Sequence, residues 1–223
     1  MASIPTDSRL LDVAVDHFGR HGLDGASTRA IARDAGTPMS SITYHFGGKE
    51  GLYLATADHI AAQMRRQIAP TIERAAALCG AEGSIADARA AIHAMLGGMA
   101  MVMLHDQTEA MARFIVREQA DPTAAFDRIY DGVMGSMLDR LGGLVQRVSA
   151  NRLDRHSARV RAITLVGQVL VFRVARATVM AGMGWARIGA AETAIIVRTI
   201  AANLDAILDV IEAESRRMTG DHG

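Results

Sequence analysis

Glycine divides the first quarter of the chain into four short helical elements, after which long helical tracts run with few breaks; this change in helix length limits the fold more than any other feature. Aromatic residues are few, Ala, Leu, Met, Arg and Glu are abundant, and strict alternation of apolar and polar residues is rare. An all-α fold is expected. The first helix should span about residues 8–21, where Leu11, Val15 and Phe18 recur on one face with Leu10 and Ala14 beside them, and Gly22 supplies the stop. Ser27 and Thr28 offer an N-cap to a short helix over 29–35, closed by Gly36-Thr37-Pro38. Another short helix covers about 39–45, and Gly47-Gly48 break it before a long helix starts near Lys49. Further tracts are expected at about 51–78, 84–105, 107–120, 123–149, 156–183 and 190–218, with Asp121-Pro122 a boundary because proline disfavours a helical residue before it.

At 223 residues the chain can bury an ordinary core without a metal or disulfide staple. Cys79 is the single cysteine, which excludes an internal disulfide and a cysteine-rich zinc site. The most apolar stretch, 162–183, contains Gln168, Arg173 and Arg176, so a buried or interfacial helix is expected rather than a membrane span. The segment MASIPTDSR lacks the basic start, apolar run and cleavage site of a secretory signal, and a cytoplasmic protein is expected. His17 and His21 stand four apart on the first helix, a spacing able to hold a metal ion, but no third ligand is evident nearby. No nucleophile elbow, phosphate-binding loop or dinucleotide fingerprint occurs, so no catalytic residue, metal or cofactor is expected.

The segment TRAIARDAGTPMSSITYHF has the parts of a helix-turn-helix: a bracing helix, a tight turn with a small residue, and short polar side chains on a second helix. Ile31, Ala32 and Ala35 form an apolar face, Gly36 permits the turn, and Ile42 with Phe46 anchor the second helix. Pro38, Met39, Ser40, Ser41, Thr43, Tyr44 and His45 are left over, and most of them must point outward. The formal net charge is zero, and a nucleic-acid binder is often basic, so local charge has to carry the reading. Between residues 27 and 49 the cations Arg29, Arg33 and Lys49 face one acid, Asp34, a surplus suited to a compact footprint made twice in a dimer.

These residues resemble the N-terminal domain of the TetR family of transcriptional regulators, matching its pattern at Thr28, Ile31 (shifted by one), Ala32, Ala35, Gly36, Ile42, Phe46, Lys49 and Leu52. The likeness covers about the first sixty residues. It departs at Thr37-Pro38, where Val-Ser is usual, and at Thr43, where a tyrosine commonly touches phosphate; Tyr44 and His45 follow and can replace it. The resemblance implies a three-helix DNA-binding domain over 1–50, with the long helix from about 49 as the link, and an effector-binding and dimerisation bundle over 51–223. It implies phosphate contacts from Thr28 and Lys49, each near a helix N-terminus, and from Arg29 beside them, with base-edge contacts from Pro38, Met39, Ser40, Ser41 and Thr43. The phrases REQADPTAAFDRIY and ITYHFGGKEGLY resemble a branch of that family called CecR-like or YbiH-like, associated with genes for transport and drug sensitivity.

In the long helices, Met95, Met99, Met103, Met111, Phe114, Phe126, Tyr130, Met134 and Met137 form stripes at helical spacing, suited to an adaptable ligand cavity or to plain core. Polar residues set in apolar tracts are Arg117, Glu118, Gln168, Arg173 and Arg176; Phe172 lies beside Arg173. Arg173 could pair with Glu118, or capture an acidic effector with Gln168 and Tyr130 supplying hydrogen bonds. A dimer face is expected on the last two tracts, through Ala162, Leu165, Val166, Val169, Val174 and Ala177, then Ile195, Ile196, Thr199, Ile200, Leu204, Ile207, Leu208 and Ile211, unless these form internal core. The expected protein is a homodimeric, ligand-responsive regulator binding a palindromic operator in double-stranded DNA and released by a small-molecule effector. The alternative is a helical-bundle enzyme or metal-binding protein using the methionine-lined cavity.

Overall fold

The computed structural model describes residues 6–80 and 82–220, so part of the segment read for a targeting signal lies outside the described residues. All regular structure among them is helical: α1 (Thr6–Gly25), α2 (Thr28–Ala35), α3 (Met39–Phe46), α4 (Lys49–Leu78), α5 (Ile85–Leu104), α6 (Glu109–Ala120), α7 (Ala124–Ile129), α8 (Gly135–Val148), α9 (Arg155–Val174), α10 (Arg176–Met183) and α11 (Ala190–Gly220). A single 3-10 turn, Asp106–Thr108, precedes α6, and a π-helical turn, Tyr130–Met134, joins α7 to α8.

The sequence dictates most of the helix ends. In α1 the left-handed Gly22 (φ 69°) interrupts the helical backbone where a stop was expected. The hydroxyl of Ser84 accepts from the Asp87 amide while the Asp87 carboxylate accepts from the Ser84 amide, a capping box that starts α5. The Ser84 hydroxyl also donates to the Asp87 carboxylate at 2.7 Å, and this bond first, then the one from the Ser84 amide, holds the Asp87 carboxyl below its ordinary range. One long tract is less regular than its apolar periodicity suggests: the one expected over 156–183 divides at Ala175, and α9 and α10 meet at a 74° bend. Neither glycine nor proline marks that break. No single helix among the described residues is long and apolar enough to cross a membrane.

By packing, the chain forms two units, one comprising the residues up to Arg66 with Asp106–Gly135, the other Gln67–His105 with the residues from Ser136 onward. The boundary expected at residue 50 lies inside the first. In that first unit α1 and α6 pack most closely: a Cβ on Gly19 would stand 2.8 Å from the Ala110 carbonyl oxygen, Arg113 pairs with Asp16 at 3.1 Å, and Arg117 donates to the Arg20 carbonyl. At the π-turn, Arg65 on α4 donates through Nη2 to the Gly132 carbonyl at 2.6 Å.

The second unit has a large apolar core that includes Met95, Met99, Met103, Leu141, Leu165, Ile200 and Leu208. The core corrects the face expected for dimerisation. Ala162, Leu165, Val166 and Val169 of α9 and Ile196, Ile200, Leu204, Leu208 and Ile211 of α11 are buried within this chain. The apolar side chains that remain on the surface are Val160, Ile163, Leu170, Val171 and Val174 of α9, and Ile195 and Val210 of α11. Of the residues expected on that face, Val174 and Ile195 remain exposed.

Candidate nucleic-acid interface

The helix-turn-helix is built from the first unit. Ser27 caps α2 by accepting from the Ala30 amide, and the helix closes on Gly36 in the left-handed conformation (φ 67°). There the Gly36 and Thr37 amides donate to the carbonyls of Arg33 and Ala32, consuming carbonyls that a bare helix end leaves unsatisfied. A Cβ-bearing residue would strain this turn, so glycine is required by the backbone. Ile31, Ala32 and Ala35 are buried as expected.

Recognition helix α3 hangs from the unit by few contacts. Ile42 is its one fully buried residue, at 2 % exposure, whereas Phe46, expected as a second anchor, is only half-buried. Pro38, Met39, Ser40, Thr43, Tyr44 and His45 are all exposed, and Ser41 is half-buried. Tyr44 is 85 % exposed, its ring edge-on to His45 at 4.9 Å between centroids. An aromatic ring left in water on a short helix covers no core, and with the surrounding hydroxyls it forms a surface able to meet base edges and phosphates.

The charges behind α3 are arranged less simply than the sequence suggested. Thr28 is half-buried at the start of α2 and Arg29 is exposed. Arg33 is paired with Asp34 at 2.9 Å, and His17 reaches the other oxygen of the same carboxylate at 2.9 Å, joining α1 to α2. The Arg33 bond first, and then the His17 bond, hold the Asp34 carboxyl below its ordinary range. Lys49 donates to the Asp24 carbonyl at 2.8 Å, which fixes the start of α4 and uses one of the three donors of its ammonium. Sequence reasoning missed Arg9, whose guanidinium Nη2 lies 3.8 Å from the Cβ position of Gly36 and brings an exposed cation to the turn. No local pattern announces that approach, because 27 residues separate the two. His17 and His21 stand 6.3 Å apart, centroid to centroid, and no group of three or more metal-ligating side chains gathers among the described residues.

The residues expected to meet an effector fall in both units. In the first, Phe114 is fully buried with its ring 4.8 Å from that of Tyr53, Phe126 stacks on Tyr130 at 5.8 Å, Met134 is half-buried, and Arg117 is spent on α1. In the second, Met95 and Met99 line a narrow cleft with Ile68, Thr71, Met137 and Val166, whose volume of about 10 Å³ is room for a single water at most. Met103 is core, Phe172 packs against that core, and Gln168 is half-buried. The two charges offered to one another by the sequence are each held within their own unit. Glu118 accepts from Tyr53 and Thr123, and Arg173 donates to the His105 carbonyl at 2.7 Å.

This geometry is that of a known regulator class. The family model for bacterial regulatory proteins of the tetR family matches residues 10–56, and the model for the C-terminal domain of the HTH-type transcriptional dual regulator CecR matches residues 88–211. The chain belongs to the TetR family and is a DNA-binding transcriptional regulator, not an enzyme. Over 208 residues it is 31 % identical to the HTH-type transcriptional dual regulator CecR of Shigella flexneri, covering 93 % of each chain. The fold is also that of a transcriptional regulator from Pseudomonas aeruginosa PAO1 (TM-score 0.66, 20 % identity, 95 % of this chain and 92 % of that one). It is shared with AibR, solved in complex with isovaleryl coenzyme A and operator DNA (TM-score 0.65, 14 % identity, 88 % and 96 %).

Proposed function

We propose that the protein is a homodimeric, effector-released repressor whose α3 helices enter successive major grooves of a palindromic operator. The observation that carries this reading is the exposure of α3, which buries only Ile42 fully and presents Met39, Ser40, Thr43, Tyr44 and His45 to solvent. Thr28, Arg29 and Lys49, with Arg9 near the turn, supply phosphate contacts that set register; Pro38, Met39, Ser40, Ser41 and Thr43 face base edges. The exposed apolar stripe of α9, with Ile195 and Val210 of α11, pairs with the same stripe of a second copy.

The effector is a small organic molecule received among the methionines of the second unit, in keeping with the ligand-bound state of AibR. It weakens operator binding only if it prefers the DNA-incompetent form. The resemblance of the phrases REQADPTAAFDRIY and ITYHFGGKEGLY to the CecR-like branch is the basis for proposing regulated genes of the transport or drug-efflux type, and the sign of control depends on where the operator lies. The test is a gel shift with DNA upstream of the gene. Binding to a two-fold symmetric site that weakens steeply with salt is expected, and a chain that forms dimers yet binds no DNA would overturn the reading.

A further inference from the structure

One buried acid in the first unit is used by nothing described so far. Glu118, near the end of α6, is 1 % exposed, and among the described residues no lysine or arginine lies within salt-bridge range of it. Its carboxylate is satisfied by three neutral donors. The Tyr53 hydroxyl donates to Oε1 at 2.5 Å, and the Thr123 amide and hydroxyl donate to Oε2 at 3.1 and 2.8 Å. Thr123 in turn accepts from the Ala125 amide and starts α7, so one carboxylate ties α4 to the corner between α6 and α7. A buried carboxylate without a cation is a costly way to fill space, and an apolar residue of similar volume packs such a position at lower cost. What the acid supplies in return is direction.

Tyr53 receives that direction. Its ring stands edge-on to Phe18 of α1, with centroids 4.8 Å apart and planes at 88°, and lies against Phe114 of α6 at 4.8 Å. With its hydroxyl held by Glu118, the ring can neither slide nor turn. Burial first, and then the bond to Glu118, raise the phenol well above its ordinary value, so the hydroxyl stays a donor throughout the physiological range. Tyr53 also lies one helical turn beyond Lys49, whose ammonium holds the link between α1 and α2.

We propose that Tyr53 and Glu118 are positioning residues for operator binding: the hydrogen bond between them locks α4 to the α6–α7 corner and so fixes the orientation in which α2 and α3 are presented to DNA. Neither residue touches DNA. The pair therefore governs how many molecules hold the reading geometry, not how many phosphates they contact.

The experiment uses the full chain and an operator that the wild-type protein selects from random duplexes, which separates this proposal from the identity of the natural operator. Tyr53→Phe removes one oxygen and keeps the ring; Glu118→Gln keeps an acceptor for it; Glu118→Leu does not. Tyr53→Phe is expected to weaken operator binding about tenfold, the loss of one hydrogen bond to a charged group, and Glu118→Leu by at least as much, since it also removes the two bonds from Thr123, with the salt slope unchanged in both. Glu118→Gln should retain most of the affinity. The double variant Tyr53→Phe/Glu118→Leu should lose no more than Glu118→Leu alone, because the Tyr53 bond is already absent there. A purely structural role would lower the melting temperature while leaving the affinity of the folded protein intact, and that result overturns the proposal. So would additive losses in the double variant. If Glu118→Leu fails to fold, Tyr53→Phe against Glu118→Gln decides: equal affinity to wild type in Tyr53→Phe refutes the latch.

Discussion

Helices α3 and α9 each bury one face and leave the other to solvent, but what they leave there is opposite in kind. The exposed face of α3 carries hydroxyls, a histidine and the protruding Tyr44 around a single buried isoleucine. The exposed face of α9 carries Val160, Ile163, Val171 and Val174, with the last 59 % exposed, over a core face that is itself complete. A groove lined by base edges and phosphates rewards the first surface, and only another apolar surface rewards the second. The amphipathic pattern is therefore not enough to assign a helix. What matters is which residues remain after the core has taken its share.

The comparison is broken most severely by placing a charge on the apolar stripe. Ile163→Glu should dissociate the dimer in sedimentation experiments and weaken operator binding on the order of 100- to 1,000-fold, the gain that two linked sites hold over one. An intact dimer in that variant would remove the proposed interface. The next largest effect comes from the anchor of α3. Ile42→Ala should cost about 2–5 kcal/mol of local stability, as for other large-to-small core changes, and lower the thermal transition of the first unit. Tyr44→Ala sharpens the contrast, since so exposed a ring leaves the thermal transition unchanged on removal while operator affinity falls by about 1.5–3 kcal/mol, the worth of a hydrogen bond to a charged phosphate.

The smallest effect is in the pH dependence. The Asp34 carboxyl is held below its ordinary value by Arg33 and then His17, so it contributes stability above the unfolded carboxylate range and loses it as pH falls through the lowered folded value. Asp34→Asn should therefore remove a slight fall in melting temperature on acidification below that range. A wild-type and variant pair with parallel acid profiles would contradict the assignment.

The turn at Gly36, the cap at Ser27 and the buried row Ile31, Ala32 and Ala35 were legible because each is a local rule of backbone geometry or helical period. The methionine stripe was legible as apolar but not as cleft or core, since both use the same residues. The free row of α9 was not legible: its buried and exposed rows are both apolar, and only the packing of α5 and α11 reveals which one the core takes. The roles of Arg117, Arg9 and the Tyr53–Glu118 pair were not legible, because each depends on partners tens of residues away. Nor does any residue type mark the bend at Ala175.

The claim that α3 reads DNA is tested most directly by fluorescence anisotropy on the selected operator and a scrambled duplex between about 50 and 200 mM salt, for wild type and Tyr44→Ala. The account predicts that wild type discriminates the two duplexes and that its affinity falls steeply with salt, while Tyr44→Ala, which loses a DNA-backbone contact of an uncharged side chain, binds both duplexes more weakly and keeps the slope. Equal affinity of wild type for both duplexes, or unchanged affinity of Tyr44→Ala for the operator, would contradict it.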